Sequence, residues 1–202
     1  MVQEFLNKNM LGDLVHLEFK RVGGAPRNFE ESKDVISDLA VHDVDLMLYL
    51  LKDNVDFISA VGRRNRFIDN ALLSFRSANV SVSIYVNWLT PVKIRTMQVT
   101  GLSGLLGACL TNQTVTLTKE NPALSSGKKF DEFSFDKYLL SFCTSNQVSL
   151  NVLKKEPLEE EVKSFLQAVR EKQIMPVTLD EAIRSLSLLE QCIKNFNVVS
   201  AI

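Results

Sequence analysis

Two carboxylates and an imidazole occur at helical spacing in one apolar stretch of the sequence. Asp38, His42 and Asp45 are separated by four and three residues, and residues 34–51 are otherwise dense in Val, Leu, Ile and Met. At about 100° per residue, an α-helix places these three side chains within roughly 60° of one another, with Asp43 pointing away from them. A helix this apolar is expected to be largely buried, so its polar face must meet a site or a partner.

A carboxylate one helical turn from an imidazole is a natural acid–base pair. The anion is expected to raise the pKa of His42 and to fix its ring, so that His42 exchanges a proton near neutral pH. Two alternatives stay open from these residues alone. The helix could carry a structural His, or the two carboxylates and the His could ligate one metal ion. No further ligand cluster in the sequence supports a metal, and we expect none.

Further candidate substrate-binding residues follow a strand end and a glycine-rich loop. Asn87 and Trp88, the only tryptophan, end a predicted strand, and Lys93 and Arg95 come shortly after. They offer an aromatic and amide wall for a sugar, with a cation near a phosphate. Arg27, beside the Gly/Pro loop that precedes the acid–base helix, is a similar candidate. The alternative is that Trp88 packs in the core or at an interface.

The elements that must position these residues follow an α+β pattern. A short helix at residues 3–9, closed by Gly12, and a strand at residues 14–22 precede the acid–base helix. Alternating and β-branched segments after it predict strands at residues 56–63, 71–76, 80–88, 93–100 and 114–119. Successive strands followed by helices favour an open, predominantly antiparallel mixed sheet with helices packed on one face.

Two amphipathic helices are predicted near the C-terminus. Pro157 begins the first, whose apolar stripe consists of Val162, Phe165, Leu166 and Val169. Thr178 and Glu181 form a capping box that begins the second. The buried face of this last helix is predicted to consist of Ile183, Leu186, Leu189, Ile193 and Phe196.

Length and composition indicate one ordinary globular domain over residues 1–202. The chain is 46% hydrophobic, and its 23 basic and 24 acidic residues give a formal net charge of -1. Without a long run of like charge, neither nucleic acid nor an anionic membrane is an expected partner. Three widely separated cysteines suit a reducing compartment, so we expect a cytoplasmic protein.

A dinucleotide-binding motif is absent from the sequence. Such a fold needs Gly-x-Gly-x-x-Gly between a first strand and a helix. The glycines Gly101, Gly104 and Gly107 have the wrong spacing and lie between strand-like segments, so they predict a hairpin. His16 lies in a strand and is expected to pack there or lie at the surface.

Several motifs together resemble one known family. Residues 38–45, Asp-Leu-Ala-Val-His-Asp-Val-Asp, are similar to the Asp-x-Gly-x-His-x-x-Asp signature of the glucose–fructose oxidoreductase, inositol dehydrogenase and MocA (GFO/IDH/MocA) family, with Ala40 in place of Gly. Three further features resemble the second domain of that family: Asn87-Trp88, the Gly101/Gly104 hairpin and the pattern around Pro157, Phe165, Pro176 and Ala182. The combination of Asp-Leu-Ala-Val-His-Asp with Asn-Trp-Leu-Thr-Pro most resembles the UDP-N-acetylglucosamine 3-dehydrogenase branch of that family.

The resemblance implies the substrate-binding and oligomerising domain of an NAD(P)-dependent sugar oxidoreductase. It implies that His42 is the acid–base, that Asp38 is its partner and that Asp45 lines the sugar site. In the family a lysine of a Glu-Lys-Pro motif, at the end of a Rossmann domain, acts with them while hydride goes to the nicotinamide. Neither that motif nor that domain is in this sequence, and residues 1–11 resemble the stump of the helix that follows them. NAD or NADP is thus implied, bound mainly by a missing domain, and none is expected to bind the isolated chain.

Two functions remain in competition. The chain is either the substrate-binding half of a sugar or nucleotide-sugar dehydrogenase, working with a separate Rossmann-domain partner, or a non-catalytic binding or scaffolding domain derived from that family. The joint presence of Asp38 and His42 favours the first. We also expect a homo-oligomer, at least a dimer, through the open sheet face, because apolar side chains are predicted along it or beneath it: Val80, Val82, Ile84, Val86, Ile94 and Val99.

Overall fold

One open sheet organises the protein. The structure is a computed structural model and describes residues 1–25, 34–52, 54–119, 146–173, 175 and 177–199. In these ranges the strands are β1 Leu14–Val22, β2 Asp56–Arg64, β3 Ile68–Ser77, β4 Val80–Asn87, β5 Ile94–Gly101, β6 Gly104–Cys109, β7 Thr114–Lys119, β8 Asn146–Leu150 and β9 Phe196–Val198. They hydrogen-bond in the order β8-β7-β6-β5-β1-β4-β3-β2-β9.

The sheet is mixed and mostly antiparallel, which confirms the predicted α+β class. Only β1 with β4 and β2 with β9 run parallel among the described strands. The predicted bounds of β1 and β7 match the structure, and the predicted glycine hairpin joins β5 to β6 with Gly101 opposite Gly104. A Cβ on Gly101 would lie 2.3 Å from the Leu11 carbonyl oxygen, so glycine allows the chain before β1 to approach this turn closely. Strands β8 and β9 were not predicted.

The helices lie before, between and after the strands. They are α1 Val2–Asn7, α2 Val41–Leu51, α3 Pro157–Glu171 and α4 Leu179–Lys194, with a π-helical segment at Ile36–Ala40 directly before α2. The predicted capping box of α4 is confirmed, with reciprocal hydrogen bonds between Thr178 and Glu181. Helix α1 ends at Asn7, so Gly12 does not cap it as predicted. No helix in the described ranges has the length and apolarity needed to cross a membrane.

The core lies between one face of the sheet and helix α2. Side chains alternate along each strand, and the inward set of β1 includes Leu17 and Phe19, both fully buried. Val44 and Met47 of α2 pack against the same cluster. Burial of this apolar face is the main source of stability and fixes where α2 lies above the sheet.

The opposite, open face of the sheet is polar. Most of the apolar side chains on which the dimer prediction was based do not lie on that face. Val82, Ile84, Val86 and Val99 are all buried in the single chain, on the helix-covered face, while Val80 and Ile94 are partly buried at strand starts. The open face instead carries His16, Glu18, Ser81, Ser83 and Gln98, and the His16 ring hydrogen-bonds both serine hydroxyls, at 2.7 and 3.1 Å. Alternation along the strand was correctly predicted, but the faces were not distinguished.

The buried face of α4 is rotated from the predicted one. Leu189 is buried as predicted and Ile193 is partly buried, but Ile183 and Leu186 are 54% and 55% exposed. The buried residues of the helix are Ser185, Leu188, Leu189 and Cys192. The rotation follows from Ser185, whose hydroxyl donates to Asp45 on α2 at 3.2 Å and brings a polar position into the interface. The apolar stripe of α3 is likewise exposed: Val162, Phe165, Leu166 and Val169.

We expect Leu189→Ala to destabilise the protein far more than Leu186→Ala. Both changes carry the same helix-propensity effect, but Leu189 is 4% exposed and leaves a cavity, at a cost of about 2–5 kcal/mol. Leu186→Ala, at a half-exposed position, is expected to cost less than about 1 kcal/mol. Urea denaturation measures both free energies of unfolding. Equal losses of stability from the two changes would show that Leu186 is buried as well, as the sequence predicted.

Candidate functional site

A buried ion pair joins the sheet to the helix that carries the candidate site. Arg21 follows Leu17 and Phe19 on the inward face of β1, and Asp43 lies in the first turn of α2. The Arg21 Nε and NH2 groups donate to the two Asp43 carboxylate oxygens at 3.0 and 2.8 Å. Arg21 is 8% exposed and Asp43 2%. Since a buried charge is costly unless it is paired, the bidentate geometry satisfies both groups and fixes the first turn of α2 over β1.

Asp38 is held by the tryptophan at the end of β4. The Trp88 Nε1–H donates to the Asp38 Oδ2 atom at 3.1 Å, and the indole packs edge-on against Phe67. Trp88 is nearly buried, so this hydrogen bond satisfies the polar edge of the indole. The π-helical segment around Asp38 has more residues per turn than an α-helix and so rotates by a smaller angle per residue, and such segments occur often at functional sites. It therefore sets Asp38 out of the α-helical phase of His42.

Five of the predicted site residues line one cavity of about 320 Å³. They are Asp38, His42, Trp88, Lys93 and Arg95. Arg21, Gly23 and Gly24 also line it, together with the apolar Val22 and Leu39. The cavity thus brings together an imidazole, a carboxylate, an indole and three cations, a combination suited to a polar substrate with an ionisable or acidic group.

Strand register explains why the cations converge. Arg21 of β1 lies directly opposite Arg95 of β5, on the same inward face. Lys93 immediately precedes β5, and its Cα lies 3.7 Å from where a Cβ of Gly23 would stand. The end of β1 and the start of β5 therefore place all three cationic side chains at one end of the sheet.

Asp45 lies apart from Asp38. It lines a neighbouring cavity of about 550 Å³ between α2 and α4, which His42, Tyr49 and Arg184 also line. Its carboxylate accepts the hydrogen bond from Ser185. His42 lines both cavities, one with Asp38 and the other with Asp45, but Asp38 and Asp45 do not line the same cavity. The regular helical phase assumed in the sequence analysis fails at the π-helical segment.

Asn87, a further sequence candidate, does not line the described cavity. Asn87 is buried, and its carboxamide oxygen accepts from the backbone N–H groups of Leu89 and Thr90 at 3.1 and 2.9 Å. Its amide nitrogen donates to the Tyr85 hydroxyl at 2.9 Å, so the side chain is committed to shaping the turn after β4. Arg27 lies outside the described residues.

The electrostatics of His42 differ from expectation. Partial burial of the ring and the positive charge of Arg21 lower the pKa of His42 below its ordinary value, and Arg95 adds to the effect. Asp43 and Asp38 act in the opposite direction but do not prevail. No hydrogen bond joins the His42 ring to Asp38 in the described part of the chain. The predicted rise in pKa is therefore wrong, and His42 is a neutral imidazole at neutral pH, able to accept a proton.

Arg21 and Asp43 were not predicted as site residues, although the sequence carries one signal for them. An arginine in the inward register of an alternating strand must find a buried acidic partner, and Asp43 was the acidic residue predicted to point away from the polar face. The metal alternative gains no support, because the described residues contain no cluster of three His, Cys, Asp or Glu side chains that could hold an ion.

Comparison with known proteins identifies the family of this domain. The family model described as the GFO/IDH/MocA C-terminal domain matches residues 1–106, about half of the chain. The chain belongs to the GFO/IDH/MocA C-terminal domain family. Among curated protein sequences, none matches the chain.

Solved structures share the fold over nearly the whole chain. UDP-N-acetylglucosamine 3-dehydrogenase GnnA from Acidithiobacillus ferrooxidans is 18% identical with a TM-score of 0.72, and the match covers 96% of this chain and 58% of that chain. KijD10, a 3-ketoreductase from Actinomadura kijaniata solved with NADP, is 11% identical with a TM-score of 0.73, covering 100% of this chain and 58% of that one. The present chain thus spans 58% of the length of either protein.

We expect His42 to titrate below 6.5, its ordinary pKa, in the purified chain. Because Arg95 lowers this pKa through its charge, Arg95→Gln should raise the midpoint toward the ordinary value. Proton NMR of the ring measures the shift, and only two histidines contribute, so His16→Gln assigns the signal.

Arg76→Gln is the matched control for that titration. Arg76 pairs with Asp56 at an exposed position on the open side of the sheet, and its loss should leave the His42 midpoint unchanged. A His42 midpoint above 6.5 in the unaltered chain would contradict the lowered pKa of His42.

Proposed function

We propose that this chain is the substrate-binding part of an NAD(P)-dependent dehydrogenase that oxidises a hydroxyl of a sugar, with nucleotide sugars as the substrate class. One observation carries the proposal. Asp38, His42 and Trp88 meet in a single cavity with Lys93 and Arg95. A sugar hydroxyl needs a proton acceptor beside it, and a nucleotide sugar needs cations for its phosphates, and this cavity supplies both.

His42 is the proton acceptor in this proposal. Its lowered pKa keeps the imidazole neutral at neutral pH, so that it can take the proton of the hydroxyl being oxidised. Asp38 supplies negative charge that favours the imidazolium once it forms. The hydrogen bond from Trp88 holds the Asp38 carboxylate in place and presents the indole face as part of the substrate wall.

The described residues do not fit a dinucleotide. They contain no strand followed by a glycine-rich turn and a helix N-terminus, which a pyrophosphate requires. A nicotinamide bound by a separate domain would accept the hydride. The similarity to KijD10 supports this choice of cofactor, since that protein was solved with NADP. The role of the present chain is to bind the substrate and take its proton.

Other sequence candidates enter the proposal in lesser roles. Asp45, in the adjacent cavity, is suited to a sugar hydroxyl, and Asn87 shapes the turn that leads to Lys93. Arg27 stays a candidate from the sequence alone. Assembly into a dimer through the open sheet face is supported by the family resemblance only, since that face is polar.

A fusion protein tests the proposed activity. The dinucleotide-binding part of the Acidithiobacillus ferrooxidans 3-dehydrogenase, placed before Met1, should oxidise a UDP-sugar with reduction of NAD or NADP, followed by absorbance. His42→Ala in the fusion should lower turnover on the order of 10²-fold, the usual contribution of a positioned acid–base group. Asp38→Asn should lower it in the same direction.

Two controls accompany the fusion. His16→Gln removes the other histidine, on the open face, and should leave turnover unchanged. The unfused chain should show no binding of NAD or NADP by calorimetry. Near-normal turnover of the His42→Ala fusion would contradict the role of His42, and a fusion inactive on all UDP-sugars would favour a non-catalytic binding domain.

A further inference from the structure

Three cationic side chains surround the candidate cavity, and among the described residues only one of them has an acidic partner. Arg21 is engaged by both oxygens of Asp43. Arg95 faces Arg21 across the β1–β5 pair, and no ion pair or hydrogen bond joins its guanidinium to another described residue. Lys93 lies two residues earlier on the same wall, also without an ion pair in the described ranges.

The surroundings of Arg95 are short of negative charge. Burial and the neighbouring Arg21 charge lower the pKa of Arg95, and the carboxylates of Asp43 and Asp38 offset this only in part. Asp38 is oriented by the Trp88 indole instead of by Arg95. A partly buried guanidinium beside a second cation is stabilised when an anion enters, because its planar donors can then be satisfied bidentately.

We propose that Arg95 and Lys93 form a subsite for the diphosphate of the substrate. A guanidinium fork and an ammonium side by side suit a group with two negative charges, whereas a carboxylate would neutralise only one of them. Asp43 has a part in this subsite, because it occupies the Nε and Nη2 donors of Arg21 and thereby leaves Arg95 and Lys93 as the cations available to the ligand. This inference rests on the proposed function for the identity of the remaining substrate.

The subsite lies within reach of the proton acceptor. His42 lines the same cavity as Arg95 and also borders the larger cavity between α2 and α4. A ligand whose diphosphate is held at Arg95 can therefore extend its sugar toward His42. The loop Gly23–Gly24 carries no side chains at this wall, so a phosphate can approach the backbone there.

The single tryptophan makes the subsite directly measurable in the purified chain. Trp88 lines the cavity, so ligand binding should change its fluorescence. UDP and pyrophosphate should each give a saturable change that weakens with added salt, and uridine, which lacks phosphate, should give none. Calorimetry with the same three probes provides a reading that does not depend on the indole.

Substitution of Arg95 decides the assignment. Arg95→Gln should weaken UDP binding on the order of tenfold or more. Arg95→Lys keeps the charge but loses the bidentate guanidinium, so its UDP affinity should lie between those of the unaltered chain and of Arg95→Gln. Arg76→Gln, on the opposite side of the sheet, should bind as the unaltered chain does. Circular dichroism of each variant verifies that the fold is retained.

The failure of this subsite and that of the proposed function are distinguishable. Unaltered UDP affinity in Arg95→Gln, uridine binding equal to that of UDP, or no saturable binding of UDP and pyrophosphate would overturn the subsite, whatever the fusion does. Loss of UDP binding in Arg95→Gln supports the subsite even if the fusion protein oxidises no sugar. An inactive fusion contradicts only the proposed oxidoreductase activity.

Discussion

The arrangement of the site depends on the buried ion pair between Arg21 and Asp43. A guanidinium on the inward face of a central strand is tolerated only if a carboxylate meets it with good geometry. The pair sets the rotation of α2 about its axis, because Asp43 must point into the sheet. His42, one residue earlier, is then turned toward the cavity mouth. The same pair occupies two donor groups of Arg21, while Arg95 lies opposite Arg21 without an ion pair to any described residue.

Around this pair, local backbone geometry and buried hydrogen bonds hold the other walls of the cavity. The π-helical segment places Asp38 where the Trp88 indole can donate to it, at the end of β4. Asn87 ties down the turn after β4 through two backbone N–H groups. Backbone geometry and buried hydrogen bonds thus preorganise the cavity walls, while His42 remains exposed at the point where two cavities meet.

The elements were largely predictable from the sequence, and the faces they present were not. Alternation and the capping box gave the bounds of β1 and the start of α4, since these signals are local. Which face of β4 met the helices depended on strand order, which is not local. The buried stripe of α4 was missed because it contains Ser185, whose partner Asp45 lies 140 residues away. For the site, residue types and spacing identified five members of the cavity, but not Arg21, whose inward position in the alternating strand was the one local signal.

The most direct test of the central role of the ion pair is a double-mutant cycle with Arg21→Met and Asp43→Leu, measured as free energies of unfolding in urea. Each single change leaves an unpaired buried charge and should cost about 3–5 kcal/mol. The double variant buries two apolar side chains instead, so it should be more stable than either single variant, with a coupling energy of about 2 kcal/mol or more. Single effects that add to within about 0.5 kcal/mol would show that the two residues act independently, and would contradict the role assigned to the pair.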